Sequence, residues 1–132
     1  MTKRPPARIW PETVGALVIW VIATAAVTAL APALADAPAA PTAAAVAVAF
    51  TAAGALVGRI LPPGYGVRLG IAVVIIGQLL DVAYVLAADG RYPRTDGHGS
   101  GRVLLLLLAG YAAFLLGTLA TRTPRIPENA VA

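Results

Sequence analysis

The stretch GVRLGIAVVIIGQLLDVAYVLAAD, residues 66–89, decides how this chain folds. Between Arg68 and Asp89 it carries a single charged residue, Asp81, in an otherwise uncharged and largely apolar run. A helix of about 20 apolar residues crosses the hydrocarbon core of a bilayer, which is about 30 Å thick. We therefore predict a membrane-spanning helix over residues 66–88 that holds Asp81 within the membrane.

Three further runs of the same kind predict helices over residues 13–35, 41–61 and 103–121, and we expect residues 89–102 to form an external loop. Of the 132 residues, 59% are hydrophobic and only 12% are charged, whereas a soluble domain carries about 25% charged residues. The fold class predicted is an all-α membrane protein. It is a single integral domain over residues 1–132, a four-transmembrane-helix bundle. The lipid bilayer in which it is embedded is its predicted partner.

The basic residues predict how the bundle is oriented, because cytoplasmic loops of membrane proteins carry an excess of Lys and Arg. One side of the predicted bundle holds seven basic residues, Lys3, Arg4, Arg8, Arg59, Arg68, Arg122 and Arg125. The other side holds Arg91, Arg94 and Arg102, together with Asp36, Asp89 and Asp96. We therefore expect both termini in the cytoplasm. The Ala-, Gly- and Pro-rich usage is typical of a GC-rich bacterium, so the predicted location is the inner (plasma) membrane, as a multi-pass protein.

The first apolar run has a competing interpretation as a cleaved signal peptide. A basic start, an apolar middle and the small residues Ala33 and Ala35 before Asp36 fit a cleavage pattern. The run is longer than a usual signal core, however, and a second apolar segment follows within a few residues. These two features favour a retained first helix.

Composition argues against several kinds of chemistry. Cysteine is absent, which excludes disulfides, thiolate metal sites and cysteine nucleophiles. His98 is the sole histidine, and with Asp96 beside it makes no credible metal site, so we predict no bound metal and no cofactor. The basic residues stand mostly at the ends of apolar runs rather than in a patch, so we expect no nucleic acid partner.

Polar residues of all four predicted helices fall at one depth. At about 1.5 Å of rise per residue, Asp81 lies roughly 12 Å and Gln78 roughly 16 Å below the outer end of the third helix. The same count puts the remaining members of this layer at comparable depths in the outer half of the bilayer: Thr24, Thr28, Thr51 and Tyr111. We predict that these six residues form a proton or ligand site.

Asp81 carries most of that prediction. A carboxylate in hydrocarbon costs several kcal/mol, faces the bundle interior or a wet cavity, and is by default a functional hypothesis. The competing interpretation is a structural hydrogen-bonding hub. For the threonines it is stronger, because a threonine hydroxyl can bond to a carbonyl of its own helix.

Two pairs of glycines at four-residue spacing, Gly54 with Gly58 and Gly66 with Gly70, predict close helix packing. The alternative is that they reflect only an Ala- and Gly-rich genome. If they do pack helices, they are candidates for a homo-oligomer interface.

These sequence features are compatible with three functions. The first is a proton- or cation-linked transporter of a small solute, built as an oligomer around the polar site. The second is a non-catalytic accessory or structural subunit that binds a partner membrane subunit through Asp81 and Gln78. The third, an enzyme acting on a lipid or isoprenoid with Asp81 as general acid, ranks lowest because one acid without a clear partner is a weak catalytic site.

Overall fold

The computed structural model describes residues 10–62 and 64–121, which form four α-helices. Each helix is long and apolar enough to cross a membrane, as predicted. The helices are α1 (Trp10–Asp36), α2 (Ala39–Ile60), α3 (Tyr65–Ala87) and α4 (Gly97–Ala120).

The largest difference from the predicted boundaries is at the start of α4, which begins at Gly97 rather than Val103. The glycine-rich run expected in the external loop instead forms the first turns of this helix. Asp96 is the reason, because its carboxylate Oδ1 accepts a hydrogen bond from the Gly99 amide at 2.7 Å. A side-chain cap of this kind satisfies one of the free amides of a first helical turn.

Replacing Asp96 by alanine should therefore destabilise the protein by about 1 kcal/mol, the usual cost of losing an N-cap side chain. The measurement is chemical unfolding in detergent, followed by far-UV circular dichroism. Asp96→Ser retains an acceptor oxygen and should recover most of the loss. Equal losses in both variants would contradict the capping role.

The two central helices are α3 and α4, which pack on each other, while α1 packs mainly on α3 and α2 mainly on α4. The two flanking helices, α1 and α2, follow each other in sequence but hardly touch. Contacts pair the beginnings of α1 and α3, so these two neighbours run parallel. The same is true of α2 and α4, since Phe50 contacts Gly110 and Gly58 contacts Thr121 near the ends.

Glycines allow α2 and α4 to approach until their backbones touch. A Cβ atom on Gly54 would collide with the carbonyl oxygen of Phe114, and one on Gly117 would collide with the carbonyl oxygen of Thr51. Gly58 lies against Thr118 and Thr121 on the same seam. The interface therefore depends on residues without side chains.

The second predicted glycine pair is also used inside the chain. Gly66 faces the Cα atom of Gly58, and Gly70 faces the side chains of Leu115 and Thr118. Glycine pairs that already hold the bundle together are not free to form an interface with a second copy. A homo-oligomer would have to use other surfaces.

An ion pair joins α1 to α3 at the end where both helices begin. Arg68 Nη2 lies 3.1 Å from Glu12 Oε1, and the glutamate is 7% exposed whereas the arginine side chain is mostly exposed. At the opposite end, Arg102 donates to the Ala35 carbonyl at 2.7 Å and Arg94 donates to the Ala29 carbonyl at 3.2 Å. Arg102 thus places a cation at the last turn of α1, where it complements the helix dipole and a carbonyl that has no partner within the helix.

Candidate functional site

The polar site is built from matching faces of α1 and α3. Trp20, Thr24 and Thr28 recur every four residues on α1 and so share one helical face. Asp81 and Tyr84 lie three residues apart on the face of α3 that meets it. Asp81 is only 3% exposed, so its carboxyl group is inside the bundle.

Trp20 is the residue that holds the carboxyl group. Its indole Nε1 donates to Asp81 Oδ1 at 2.8 Å, and its ring packs edge-on against Tyr84 with centroids 6.1 Å apart. Trp20 is not among the predicted site residues, because it lies within an apolar run. The regular spacing of Trp20, Thr24 and Thr28 was the signal that could have revealed it.

The second carboxyl oxygen, Asp81 Oδ2, is buried and has no hydrogen-bond partner among the described residues. The same holds for Thr24 Oγ1, the Tyr111 hydroxyl and Gln78 Nε2. The Tyr111 hydroxyl is close enough to the Asp81 carboxyl and to the Thr24 hydroxyl to interact with both, yet none of these atoms meets hydrogen-bond distance and angle. A buried polar atom without a partner costs about 1–3 kcal/mol, so such a cluster calls for an explanation.

A second group of hydroxyls lies between this cluster and the end of the bundle that holds the connection from α3 to α4. Thr28 Oγ1 is 3.2 Å from the Tyr84 hydroxyl and 3.3 Å from the Tyr92 hydroxyl. Tyr92, in that connection, is 1% exposed and packs edge-on against Tyr84. Its backbone amide donates to Ser100 Oγ at 2.7 Å, which fixes the connection over the site.

Burial raises the pKa of the Tyr92 phenol above its ordinary value, and the hydrogen bond with Thr28 opposes the rise only in part. The folded protein therefore holds this proton more tightly than the unfolded chain does. The resulting stability is present below the ordinary tyrosine pKa of about 10 and declines as the pH rises above it.

Thermal unfolding at neutral pH and at about pH 11 should show a larger loss of stability for the parent than for Tyr92→Phe, which has no phenol to ionise there. The quantity to compare is the change in stability between the two pH values, because Tyr92→Phe also loses the contact with Thr28 and is less stable at both. An equal alkaline loss in both proteins would show that Tyr92 is not the group responsible.

A groove of about 480 Å³ runs along the outside of the second group of hydroxyls, which Thr28 forms with Tyr84 and Tyr92. Among its lining residues are Trp20, Thr24, Thr28 and Tyr84, with Arg94 at the end near the α3–α4 connection. Thr24 of the buried cluster thus also lines the groove, as does Trp20, which is bonded to Asp81. Asp81 and Tyr111 themselves lie behind these residues and do not line it.

The structure brings together some of the predicted site residues and separates others. The central cluster consists of Asp81, Tyr111 and Thr24. Thr28 belongs to the second group of hydroxyls, next to this cluster. Gln78 lies about one turn from Asp81 on α3 and is half-buried. Thr51 is exposed on α2, where its backbone carbonyl, not its hydroxyl, makes the contact with Gly117.

Oxygen atoms dominate this site, and within residues 10–62 and 64–121 no group of three His, Asp or Glu side chains comes together. The cluster supplies one carboxyl group and two hydroxyls, a combination that can bind a proton, a water molecule or a weakly coordinated cation. Comparisons with known proteins add no guidance, since no protein-family model, no curated protein and no solved structure matches this chain.

Proposed function

We propose that this chain is a small multi-pass protein of the bacterial inner membrane that couples a proton or a cation to the transport of a small solute. The observation that carries the proposal is the Asp81 carboxyl group, buried between helices with one oxygen bonded to Trp20 and the other without a partner within hydrogen-bond distance and angle, near Tyr111. An intramembrane acid in such surroundings is most often part of an ion or proton pathway.

The proposed orientation has both termini in the cytoplasm, in keeping with the excess of Lys and Arg at that end. The Glu12–Arg68 ion pair then lies near the cytoplasmic surface, while Tyr92 and Arg94 lie at the outer surface. In this orientation Asp81 is in the outer half of the membrane, and the groove beside Trp20 and Thr24 extends toward the outer end of the bundle, where Arg94 lies.

The cytoplasmic half of the bundle is closed in this conformation. Toward the starts of α1 and α3, the interior is filled by buried apolar residues such as Ala16, Leu69 and Val73. A transport cycle therefore requires a second conformation that opens this half, as alternating access demands. We include a homo-oligomer in the proposal, formed through surfaces other than the glycine pairs, because four helices enclose little volume on their own.

The test uses purified protein in liposomes on a solid-supported membrane, with rapid jumps of pH or of Na⁺ as the driving step. The parent should give a transient current, and Asp81→Asn should give no more than protein-free liposomes. Thr51→Ala is the matched control, because Thr51 is exposed on α2 and outside the cluster. Currents of equal size in the parent and in Asp81→Asn would overturn the proposal.

An accessory subunit is the second candidate, and one further observation favours it. An apolar groove of about 310 Å³ separates α1 from α2, with Ile22 and Ala53 on its walls and Phe114 of α4 among its lining residues. A helix of a partner membrane subunit could fill this groove. Copurification of a stoichiometric partner that is lost in Ala53→Phe but retained in Asp81→Asn would favour this role over transport.

A further inference from the structure

We propose that Asp81 Oδ2, the Tyr111 hydroxyl and Thr24 Oγ1 form a binding site for one monovalent alkali cation, which competes with a proton for the carboxylate. The inference rests on the proposed function, because it uses the same carboxyl group and names the ion that is coupled. Binding can nevertheless be measured without any transport.

The three oxygens come from three different helices, α1, α3 and α4, and all are inside the bundle. Asp81 is 3% exposed, Thr24 is 6% exposed and Tyr111 is fully buried. The Tyr111 hydroxyl is near both Asp81 and Thr24, but none of the three oxygens has a partner within hydrogen-bond distance and angle among the described residues. Oxygens that share a cation lie farther apart than oxygens that share a hydrogen bond, so one ion between them would satisfy all three. Carboxyl and hydroxyl oxygens are ligands that hard cations prefer.

The single negative charge of the Asp81 carboxylate favours a monovalent ion over a divalent one. Among the described residues, the titratable groups that interact with Asp81 are the phenols of Tyr111, from α4, and Tyr92, from the α3–α4 connection, and its hydrogen-bond donor from α1 is the uncharged Trp20. Within the two described ranges, no Lys or Arg forms an ion pair with the carboxylate. A single positive charge would neutralise Asp81, whereas a divalent ion would leave an uncompensated charge in a medium where this is costly.

The protein contains its own reporter of this site. Trp20 Nε1 donates to Asp81 Oδ1, so an ion arriving at Oδ2 of the same carboxyl group changes the surroundings of the indole. The chain has two tryptophans, and the other, Trp10, can be replaced by phenylalanine. The fluorescence of Trp10→Phe then comes from Trp20 alone.

The experiment titrates NaCl, LiCl and KCl into the full-length Trp10→Phe protein in detergent, with choline chloride holding the ionic strength constant. At least one alkali cation should give a saturable change in Trp20 emission. Its apparent Kd should rise by about tenfold per pH unit as the pH falls through the range in which the proton competes. In the same background, Asp81→Asn should abolish the response.

Two ligand variants and one control test the donor set. Thr24→Ala and Tyr111→Phe should each weaken cation binding by about tenfold, corresponding to the loss of one oxygen ligand. Thr51→Ala removes the same hydroxyl from an exposed position on α2 and should leave the apparent Kd unchanged. Circular dichroism of every variant verifies that the variant is folded, so that a missing fluorescence response reports a loss of cation binding.

Several outcomes would overturn the inference. One is the absence of a saturable response to any alkali cation in folded protein; another is a response that persists in Asp81→Asn. A third is cation binding in Thr24→Ala and in Tyr111→Phe that is as tight as in the control, Thr51→Ala. If the first occurs while pH-jump currents still depend on Asp81, the site carries protons only and the proposed function stands. If cations bind but no current is found, the cation site stands and the transport function fails.

Discussion

Gly54→Ala and Gly117→Ala should each destabilise the protein by at least about 3 kcal/mol, at the upper end of the usual cost of overpacking. The reason is that the added methyl group meets backbone rather than a side chain that could move. On Gly54 it would collide with the Phe114 carbonyl oxygen, and on Gly117 with the Thr51 carbonyl oxygen. Relief therefore requires α2 and α4 to separate along their length.

The measurement is the unfolding of each variant in mixed detergent micelles, monitored by circular dichroism. Gly101→Ala is the matched control, because Gly101 is an exposed residue of α4 whose added methyl group would have open space around it. That variant should be neutral or more stable by up to about 1 kcal/mol, since alanine is the better helix former. If Gly54→Ala were as stable as Gly101→Ala, the close α2–α4 seam would be wrong.

Asp81→Asn should eliminate ion-driven current while leaving stability within about 1 kcal/mol of the parent. Asparagine retains an oxygen that can accept from Trp20 Nε1, so the interhelical hydrogen bond survives, and such bonds are worth about 0.6 kcal/mol in membrane proteins. What the substitution removes is the capacity to exchange a proton or to neutralise a cation.

Measured together, stability and current separate a functional site from a structural hub. Asp81→Leu is the informative companion, because it leaves the indole donor unpaired and should cost about 1–3 kcal/mol more than Asp81→Asn. A large loss of stability in Asp81→Asn with unchanged current per folded molecule would identify Asp81 as a hub and contradict a transport role.

Much of the architecture could be predicted because it depends on local properties of the chain. The four spans follow from the length of apolar runs, and their limits from residues such as Pro38, Pro62 and Gly64. Asp81 was found because a charge inside a span is conspicuous whatever surrounds it. The start of α4 at Gly97 was missed because its glycines favour a loop, whereas the local cap from Asp96 and the contact between Ser100 and Tyr92 stabilise a helix.

The partners of each residue could not be predicted in this way. Trp20 and Asp81 are 61 residues apart in the chain, and nothing in either segment specifies that α1 meets α3 rather than α2. The depth of Thr51 was compatible with the polar layer, but depth does not determine the direction in which a side chain points. The rotation of α2, set by the contact of Gly54 and Gly58 with α4, leaves the Thr51 side chain exposed.

By itself, then, the sequence determined that this protein has four apolar helices and that one of them carries an acid in the middle of its apolar run, because hydropathy and charge act residue by residue. Only the tertiary structure decided that Trp20 binds this acid, that Tyr111 lies beside both the acid and Thr24, and that the glycine pairs pack helices of one chain. These facts depend on which helical faces meet, and between α2 and α4 the faces that meet are those whose glycines allow the backbones to touch.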